Sequence, residues 1–189
     1  MLGNSHSHLL RSTGPVSAEP VSASEPDWSR ETCRRFWDPS RRLLRSIRKY
    51  QAWSQSSVAP LRWLAMRRWS LSHRFWSIVC ACDIPLNCQL GGGLLIPHPN
   101  GVVIHPTAMI GPNCLLLQQT TVVEKVVLGG DVNVNAGAKI VRTVTIGDHA
   151  QIGANAVVLA DIPTGAIAVG VPARVVEGTL PAARWEEAS

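Results

Sequence analysis

The sequence predicts a mainly β fold: a parallel β-helix built from hexapeptide repeats and preceded by an α-helical segment. The first observation is an aliphatic side chain at every sixth position, and the second is a small side chain four residues after most of these positions. A period of six fits neither the 3.6 residues per turn of a helix nor the alternation of a single strand, but it fits a short strand and a corner, repeated. The aliphatic positions, which would stack inside the solenoid, are Ile104, Ile110, Leu116, Val122, Leu128, Val134, Ile140, Ile146, Ile152 and Val158.

The third observation is a change of composition before the repeats. The N-terminal part is rich in Ser, Pro and Gly without apolar periodicity, so we expect it to be disordered. The next part is rich in Trp, Arg and Leu and precedes the hexapeptides. These changes divide the chain into a disordered tail (1–26), an α-helical oligomerisation segment (27–82), the β-helix (83–176) and a C-terminal tail (177–189).

Two helices are predicted in the segment before the repeats. Leu43, Leu44 and Ile47 recur at helical spacing, with Pro39 suited to a first turn and Asp38 suited to the N-cap. The second helix should cover residues 60–79.

The formal charge of +5 is concentrated in these helices. Nucleic-acid binding would need a recognisable basic and aromatic platform, and no such motif is visible. Weak contact with an acidic membrane surface fits the interleaved Trp and Arg. A solvated face on a helical oligomerisation cap is the more ordinary interpretation of such a charge run.

Cysteine usage and hydropathy predict a cytoplasmic protein. The apolar run at residues 75–82 contains a serine and is far shorter than the ~20 residues of a membrane span. The N-terminus lacks the apolar core of a signal peptide, so export is not expected. Five cysteines that form no paired framework favour a reducing compartment.

One irregularity interrupts the hexapeptide register. The step from Ile96 to Ile104 is eight residues, so two extra residues bulge out within "PHPNG", which contains His98. Bulges often re-aim a side chain beside an active site. His98 is therefore a candidate catalytic base, although a histidine between two prolines is also an ordinary turn residue.

The stretches "GGGLLIPHPNGVVIHPTAMIGPNCLLLQQT", "TIGDHAQIGANAVV" and "AVGVPARVV" resemble the serine O-acetyltransferases of the hexapeptide-repeat superfamily. The resemblance covers about residues 37–176. It implies a left-handed β-helix and a homo-oligomer, a trimer or a dimer of trimers, that binds acetyl-CoA as co-substrate between neighbouring subunits. It implies no metal. The spacing of His98, His105 and His149 does not suit a zinc site made of three histidines.

The resemblance also implies roles for individual residues. His98 matches the family's catalytic histidine, and Asp83, fifteen residues upstream, matches the aspartate that orients it. Such a pair supplies the base that a serine hydroxyl needs to attack a thioester. Asp38 matches a helical-domain aspartate that contacts serine. The positions that match the acetyl-CoA groove are Ala136, Ala154, Gly170 and Arg174.

Three departures from the family pattern bear on function. The glycine-rich stretch and loop that usually follow "QQTT" are missing after Thr121, and the aspartate that usually precedes the catalytic histidine is Pro97. The chain ends in "RWEEAS" rather than in isoleucine, so docking into the downstream sulfhydrylase through the C-terminus is not expected.

The sequence therefore predicts an acetyl-CoA-dependent acyltransferase, with L-serine as the first choice of acceptor and cysteine biosynthesis as its role. An exopolysaccharide or sugar-precursor hydroxyl is the alternative acceptor. A catalytically impaired β-helix that serves as a structural or partner-binding module is the non-enzymatic alternative.

Overall fold

The computed structural model describes residues 21–176. Nearly all of the predicted N-terminal tail and the whole predicted C-terminal tail lie outside the described residues. A 3₁₀ helix, Trp28–Glu31, precedes two α-helices, α1 (Pro39–Ser54) and α2 (Ala59–Cys80). The strands that follow are β1 (Gln89–Leu90), β2 (Val103–Ile104), β3 (Met109–Ile110), β4 (Leu115–Leu116), β5 (Thr121–Val122), β6 (Val127–Leu128), β7 (Asn133–Val134), β8 (Lys139–Ile140), β9 (Thr145–Ile146), β10 (Gln151–Ile152), β11 (Val157–Val158), β12 (Ile167–Val169) and β13 (Arg174–Val176).

The strands form the three faces of a parallel β-helix. Successive strands enter different sheets, whose orders are β1-β3-β6-β9, β2-β5-β8-β11 and β4-β7-β10-β12-β13. Val103 pairs with Thr121 and Val127 pairs with Thr145, eighteen residues later in each case. One coil therefore contains three hexapeptides. β13 turns back antiparallel on β12 and ends the described solenoid.

The periodic aliphatic side chains form the interior of the solenoid. Every one from Ile104 to Val158 is buried, and none is more than 4% exposed. The small side chains that follow, such as Ala108 and Ala150, are fully buried as well. Because burying one such aliphatic side chain stabilises a protein by about 1.5–3 kcal/mol, this stack is the main apolar contribution to the fold.

Left-handed backbone occurs at one corner position in most repeats. Gly and Asn adopt this conformation most readily, and Asn113, Gly137 and Asn155 have φ of 59°, 73° and 56°. Other residue types adopt it too; they are Gln119, Lys125, Asp131 and His149. His149 is exposed, and its Nδ1 lies 3.0 Å from Asp131 Oδ2.

The two α-helices close the N-terminal end of the β-helix. Leu43 and Ile47 of α1 are fully buried in the same cluster as Ile84 and Leu94 of the first coil. The apolar face predicted for α1 is thus the face that covers the open end of the solenoid. No helix within residues 21–176 combines the length and the apolarity that crossing a bilayer requires.

Arg48 fixes α1 to the first coil. Its guanidinium binds both carboxylate oxygens of Glu31, with N–O distances of 3.1 and 2.8 Å, and Nη2 also donates to the Gly91 carbonyl at 2.6 Å. A bidentate, largely buried pair of this kind holds a defined geometry. The helical segment and the β-helix are therefore joined by directed contacts as well as by apolar packing.

Residues 21–27 are held against the coils by Asn113. Its Nδ2 donates to the carbonyls of Ser22 and Glu25 at 2.8 and 2.7 Å, and its Oδ1 accepts from the Asp27 N–H at 2.8 Å. Asn113 is only 1% exposed. The last residues of the predicted tail are thus hydrogen bonded to the β-helix.

Candidate functional site

A cavity of about 420 Å³ lies where the helical segment meets the first coil. Its walls come from residues 30–41, from the C-terminal end of α2 and from residues 95–100. This volume is typical of sites for small ligands. Two of the residues predicted for the site, His98 and Asp38, line this cavity together, and the other five lie elsewhere on the β-helix.

His98 is presented by a coil that is two residues longer than the repeat requires. Gln89 pairs with Met109 and Leu95 with Leu115, twenty residues later in each case instead of eighteen. The extra residues form the loop at 97–101, in which Val102 N–H donates to the Pro99 carbonyl at 3.1 Å. The imidazole is exposed at the cavity wall. Prolines on both sides of His98 restrict the backbone of this loop.

Asp83 lies on the preceding coil, beside the strand that follows the His98 loop. It forms a parallel bridge with Val103, and its N–H donates to the Val102 carbonyl at 2.9 Å. Its side chain is exposed, and within residues 21–176 no hydrogen bond joins its carboxylate to the His98 ring. The orienting role of Asp83 therefore stays a prediction.

Asp38 directs its carboxylate at arginine instead of capping α1. It occupies the predicted N-cap position but makes no side-chain cap hydrogen bond. Its Oδ2 accepts from Arg41 Nη1 at 3.1 Å and from the Arg34 N–H at 3.2 Å. A guanidinium is a stronger donor to a carboxylate than the neutral amides of the first helical turn. The carboxylate therefore stays at the cavity wall.

The cavity is strongly cationic. Four arginines line it against one carboxylate; they are Arg30, Arg34, Arg35 and Arg41. Arg30 is 7% exposed, and its Nη1 donates to the Asn113 carbonyl at 2.6 Å. Arg41 Nε donates to the Arg30 carbonyl at 2.9 Å. The site accordingly favours a ligand that carries an anionic group.

A column of corner residues runs along the β-helix from the His98 loop. Its members, Asn100, Gln118, Ala136 and Ala154, follow one another at intervals of one coil. Their carbonyls accept from the next coil, as Asn100 O does from Gln119 N–H and Ala136 O from Asn155 N–H, at 2.8 and 2.9 Å. With strands about 4.8 Å apart, Ala154 lies roughly 14 Å from the His98 loop along the axis. The two alanines predicted to line a groove are thus stacked on the same edge.

Gly170 and Arg174 lie at the far end of the described solenoid. Gly170 takes a left-handed φ of 97°, and its carbonyl accepts from the Val157 N–H at 3.0 Å. Arg174 is exposed on β13, and its Nη1 donates to the Ala173 carbonyl at 3.2 Å. Neither residue contacts the cavity that contains His98.

Two thiols near Asp83 stay protonated near neutral pH. A hydrogen bond with Cys80, together with burial, raises the pKa of Cys82 far above its usual value. Burial raises the pKa of Cys88 to about 11. Neither thiol can therefore supply a thiolate to this site. Within residues 21–176 no group of three or more His, Cys, Asp or Glu side chains is placed to hold a metal ion.

Two kinds of residue at the site were not selected from the sequence. The arginines of the cavity were interpreted as part of a solvated charge run, although Arg34 and Arg35 stand only four and three residues before Asp38. Gln118 lies in the column next to Asn100, and its buried Oε1 accepts no hydrogen bond from the described residues. Nothing in the hexapeptide pattern distinguishes this glutamine from other corner residues.

Among curated proteins, the chain is similar to serine acetyltransferases. The enzyme of Synechococcus elongatus is 35% identical over 126 residues, which cover 60% of this chain and 52% of that protein. The enzyme of Helicobacter pylori strain J99 is 38% identical over 106 residues, which cover 52% of this chain and 62% of that protein. The chain thus spans about half of the length of these relatives. No protein-family model matches the chain.

The chain is similar to serine acetyltransferases among solved structures as well. A serine acetyltransferase in complex with CoA superposes with a TM-score of 0.61 at 30% identity, covering 74% of this chain and 57% of that chain. Soybean serine acetyltransferase complexed with serine superposes with a TM-score of 0.58 at 33% identity, covering 73% and 57%. The predicted fold class, a left-handed β-helix of hexapeptide repeats behind a helical segment, is confirmed. Within that class the chain is related in sequence and in structure to the serine O-acetyltransferases, and the predicted resemblance is confirmed.

Proposed function

We propose that this protein is an acyltransferase, a serine O-acetyltransferase that transfers the acetyl group of acetyl-CoA to the hydroxyl of L-serine. The products are O-acetylserine and CoA, and the reaction would serve cysteine biosynthesis in the cytoplasm. The observation that carries the proposal is the cavity that His98 shares with Asp38, in a chain whose solved relatives include complexes with CoA and with serine.

His98 is the general base of the proposed reaction. The hydroxyl of serine has too high a pKa to attack a thioester without a base. As the serine oxygen bonds to the thioester carbon, His98 takes the hydroxyl proton; the tetrahedral intermediate then breaks its C–S bond, and the imidazolium returns the proton to the CoA sulfur. Asp83 is the proposed orienting carboxylate, because it is exposed on the adjacent coil and makes no competing side-chain hydrogen bond within the described residues.

The polar groups of the cavity suit an amino acid. A carboxylate at Asp38 suits an ammonium group, and the exposed Arg34 and Arg35 suit a carboxylate. These arginines would substitute for the loop that is missing after Thr121.

Acetyl-CoA is the proposed co-substrate, and the proposal invokes no metal. Its pantetheine arm would follow the column past Ala136 and Ala154, where small side chains leave room. Gly170 and Arg174 are assigned to the nucleotide end, where a cation suits a phosphate. We propose that copies assemble as a trimer, or as a dimer of trimers, with acetyl-CoA between neighbouring subunits.

The proposed activity is tested with purified full-length protein, acetyl-CoA and L-serine. The release of the free CoA thiol is monitored with a colorimetric thiol reagent, and the mass of the product is determined by mass spectrometry. D-serine is the matched control acceptor. Thiol release that depends on L-serine and yields an acetylated serine supports the proposal. Binding of acetyl-CoA without turnover of L-serine would contradict serine as the acceptor and favour a sugar-precursor hydroxyl. Failure to bind acetyl-CoA would favour a structural module.

A further inference from the structure

Helix α2 presents large apolar side chains to the solvent. Six of them are half or more exposed, and Ile78 reaches 80% exposure. Five of the six share one side of the helix, and we call these the apolar stripe; they are Leu61, Leu64, Leu71, Phe75 and Ile78. At 3.6 residues per turn they fall within an arc of about 100° along a helix that is roughly 33 Å long. An exposed row of apolar side chains along one side of a helix indicates an interaction site.

The apolar stripe faces away from the rest of residues 21–176. The opposite side of α2 is partly or fully buried, and its residues include Met66, Trp69, Trp76 and Cys80. Trp76 packs on the domain core and meets the Trp37 ring edge-to-face at 5.6 Å. The buried side of α2 is therefore already satisfied, while nothing in residues 21–176 covers the apolar stripe.

Cations accompany the apolar stripe, and helix α2 carries no carboxylate. Arg67 and Arg74 follow one edge, Arg68 lies within the arc between Leu64 and Leu71, and all three are exposed. Exposed Trp63 stands beside Arg67, whose guanidinium carbon is 5.1 Å from the indole ring. From residue 39 to residue 80 the chain contains nine Arg and Lys residues and no Asp or Glu.

This charge distribution favours an anionic surface over a second copy of α2 as the binding partner of the apolar stripe. A second copy of α2 would bring Arg67, Arg68 and Arg74 against the same arginines, with no carboxylate on either helix to pair with them. An anionic bilayer surface neutralises them and also accepts the apolar side chains, because an in-plane amphipathic helix buries its apolar face about 5–10 Å into the headgroup region. Trp63 has the amphipathic ring that is favoured at this depth.

We propose that α2 docks in the plane of an anionic phospholipid surface through the apolar stripe and its flanking arginines. The helix lies on the bilayer and does not cross it. Docking does not depend on the proposed acetyl transfer, because none of the stripe residues lines the cavity that contains His98.

The test is co-flotation of the full chain with vesicles of phosphatidylcholine alone or mixed with an equal amount of phosphatidylglycerol. The double variant Arg67→Gln/Arg74→Gln is compared with Arg45→Gln/Lys49→Gln, which removes the same charge from exposed positions on α1. Since each arginine near an anionic surface contributes about 1 kcal/mol, the first variant should lower the partition coefficient about 30-fold. The second should lower it less than about threefold, because its charges lie away from the docking face.

A second pair of substitutions tests the apolar contact. Leu71→Ser/Ile78→Ser should abolish flotation with the mixed vesicles and leave the thermal unfolding temperature unchanged, because both side chains are exposed. Equal binding to both vesicle types, or equal losses in the two charge variants, would overturn the proposal. A change of oligomer mass in Leu71→Ser/Ile78→Ser with unchanged flotation would also overturn it and would assign the stripe to a second copy.

Discussion

Replacing Asn113 by alanine should detach the N-terminal segment from the β-helix at a measurable cost in stability. The side-chain amide of Asn113 makes three hydrogen bonds to main-chain groups of Ser22, Glu25 and Asp27, at 2.7–2.8 Å. Each such bond contributes about 1 kcal/mol net, so their loss should cost about 3 kcal/mol.

Asn155→Ala is the matched control. Asn155 occupies the equivalent corner seven hexapeptides later, with a φ of 56° against 59° for Asn113. It is exposed, and its side chain makes no hydrogen bond within the described residues. Both substitutions place alanine in a left-handed corner, which costs roughly 1–2 kcal/mol in either variant. The two variants therefore differ in the hydrogen bonds to the N-terminal segment and in the burial of the side chain that is removed.

The assay is urea unfolding of both variants at one protein concentration, with hydrogen exchange of residues 22–27 read in parallel. Asn113→Ala should lose about 3 kcal/mol more free energy of unfolding than Asn155→Ala, and only Asn113→Ala should speed the exchange of these amides. If the two variants differ by less than about 0.5 kcal/mol and exchange alike, Asn113 does not anchor the segment.

Three further predictions follow from the site and the core. Asp38→Asn should raise the KM for L-serine about tenfold and change kcat little, because a charged hydrogen bond to the ground-state substrate is lost. Steady-state kinetics measures both constants, and a fall in kcat with an unchanged KM would contradict a role of Asp38 in binding serine. Ile146→Ala should lower the free energy of unfolding by about 2–5 kcal/mol and Ile146→Val by about 0.5–1.5 kcal/mol; equal losses in urea unfolding would argue against a close-packed stack. Burial raises the pKa of Cys88 to about 11 and that of Cys114 to about 12, so both thiols are protonated at lower pH. Near pH 8 they should resist alkylation, while the partly exposed Cys33 reacts. Mass spectrometry of the alkylated native and unfolded protein measures this order, and faster labelling of Cys88 and Cys114 than of Cys33 would contradict their burial.

The solenoid could be predicted from the sequence because its structural unit is local. One aliphatic side chain per six residues specifies a strand and its inward face, and the structure buries every such residue from Ile104 to Val158. The corners were less predictable, because Gln119 and Lys125 take a left-handed conformation that intrinsic preference assigns to Gly, Asn and Asp. At these corners the coil must turn, and this requirement outweighs the conformational cost of the left-handed backbone.

The contacts of the N-terminal segment could not be predicted, since they depend on distant residues. Asn113 holds Ser22 from ninety-one positions away in the chain. In the same way, His98 was found because a change of register marks it, whereas Arg30 and Arg41 line the cavity only after the helices pack on the first coil. A single sequence shows the charges of these arginines but not the surface that they share.

The most direct test of the account compares His98→Ala with His105→Ala in the thiol-release assay with acetyl-CoA and L-serine. His105 is an exposed histidine of the same coil, hydrogen bonded to Thr107 Oγ1 at 2.9 Å, and it does not line the cavity. We expect His98→Ala to lower kcat by about 10²–10⁴-fold and His105→Ala to retain the rate of the unsubstituted protein. Undiminished turnover in His98→Ala would contradict the assignment of His98 as the base.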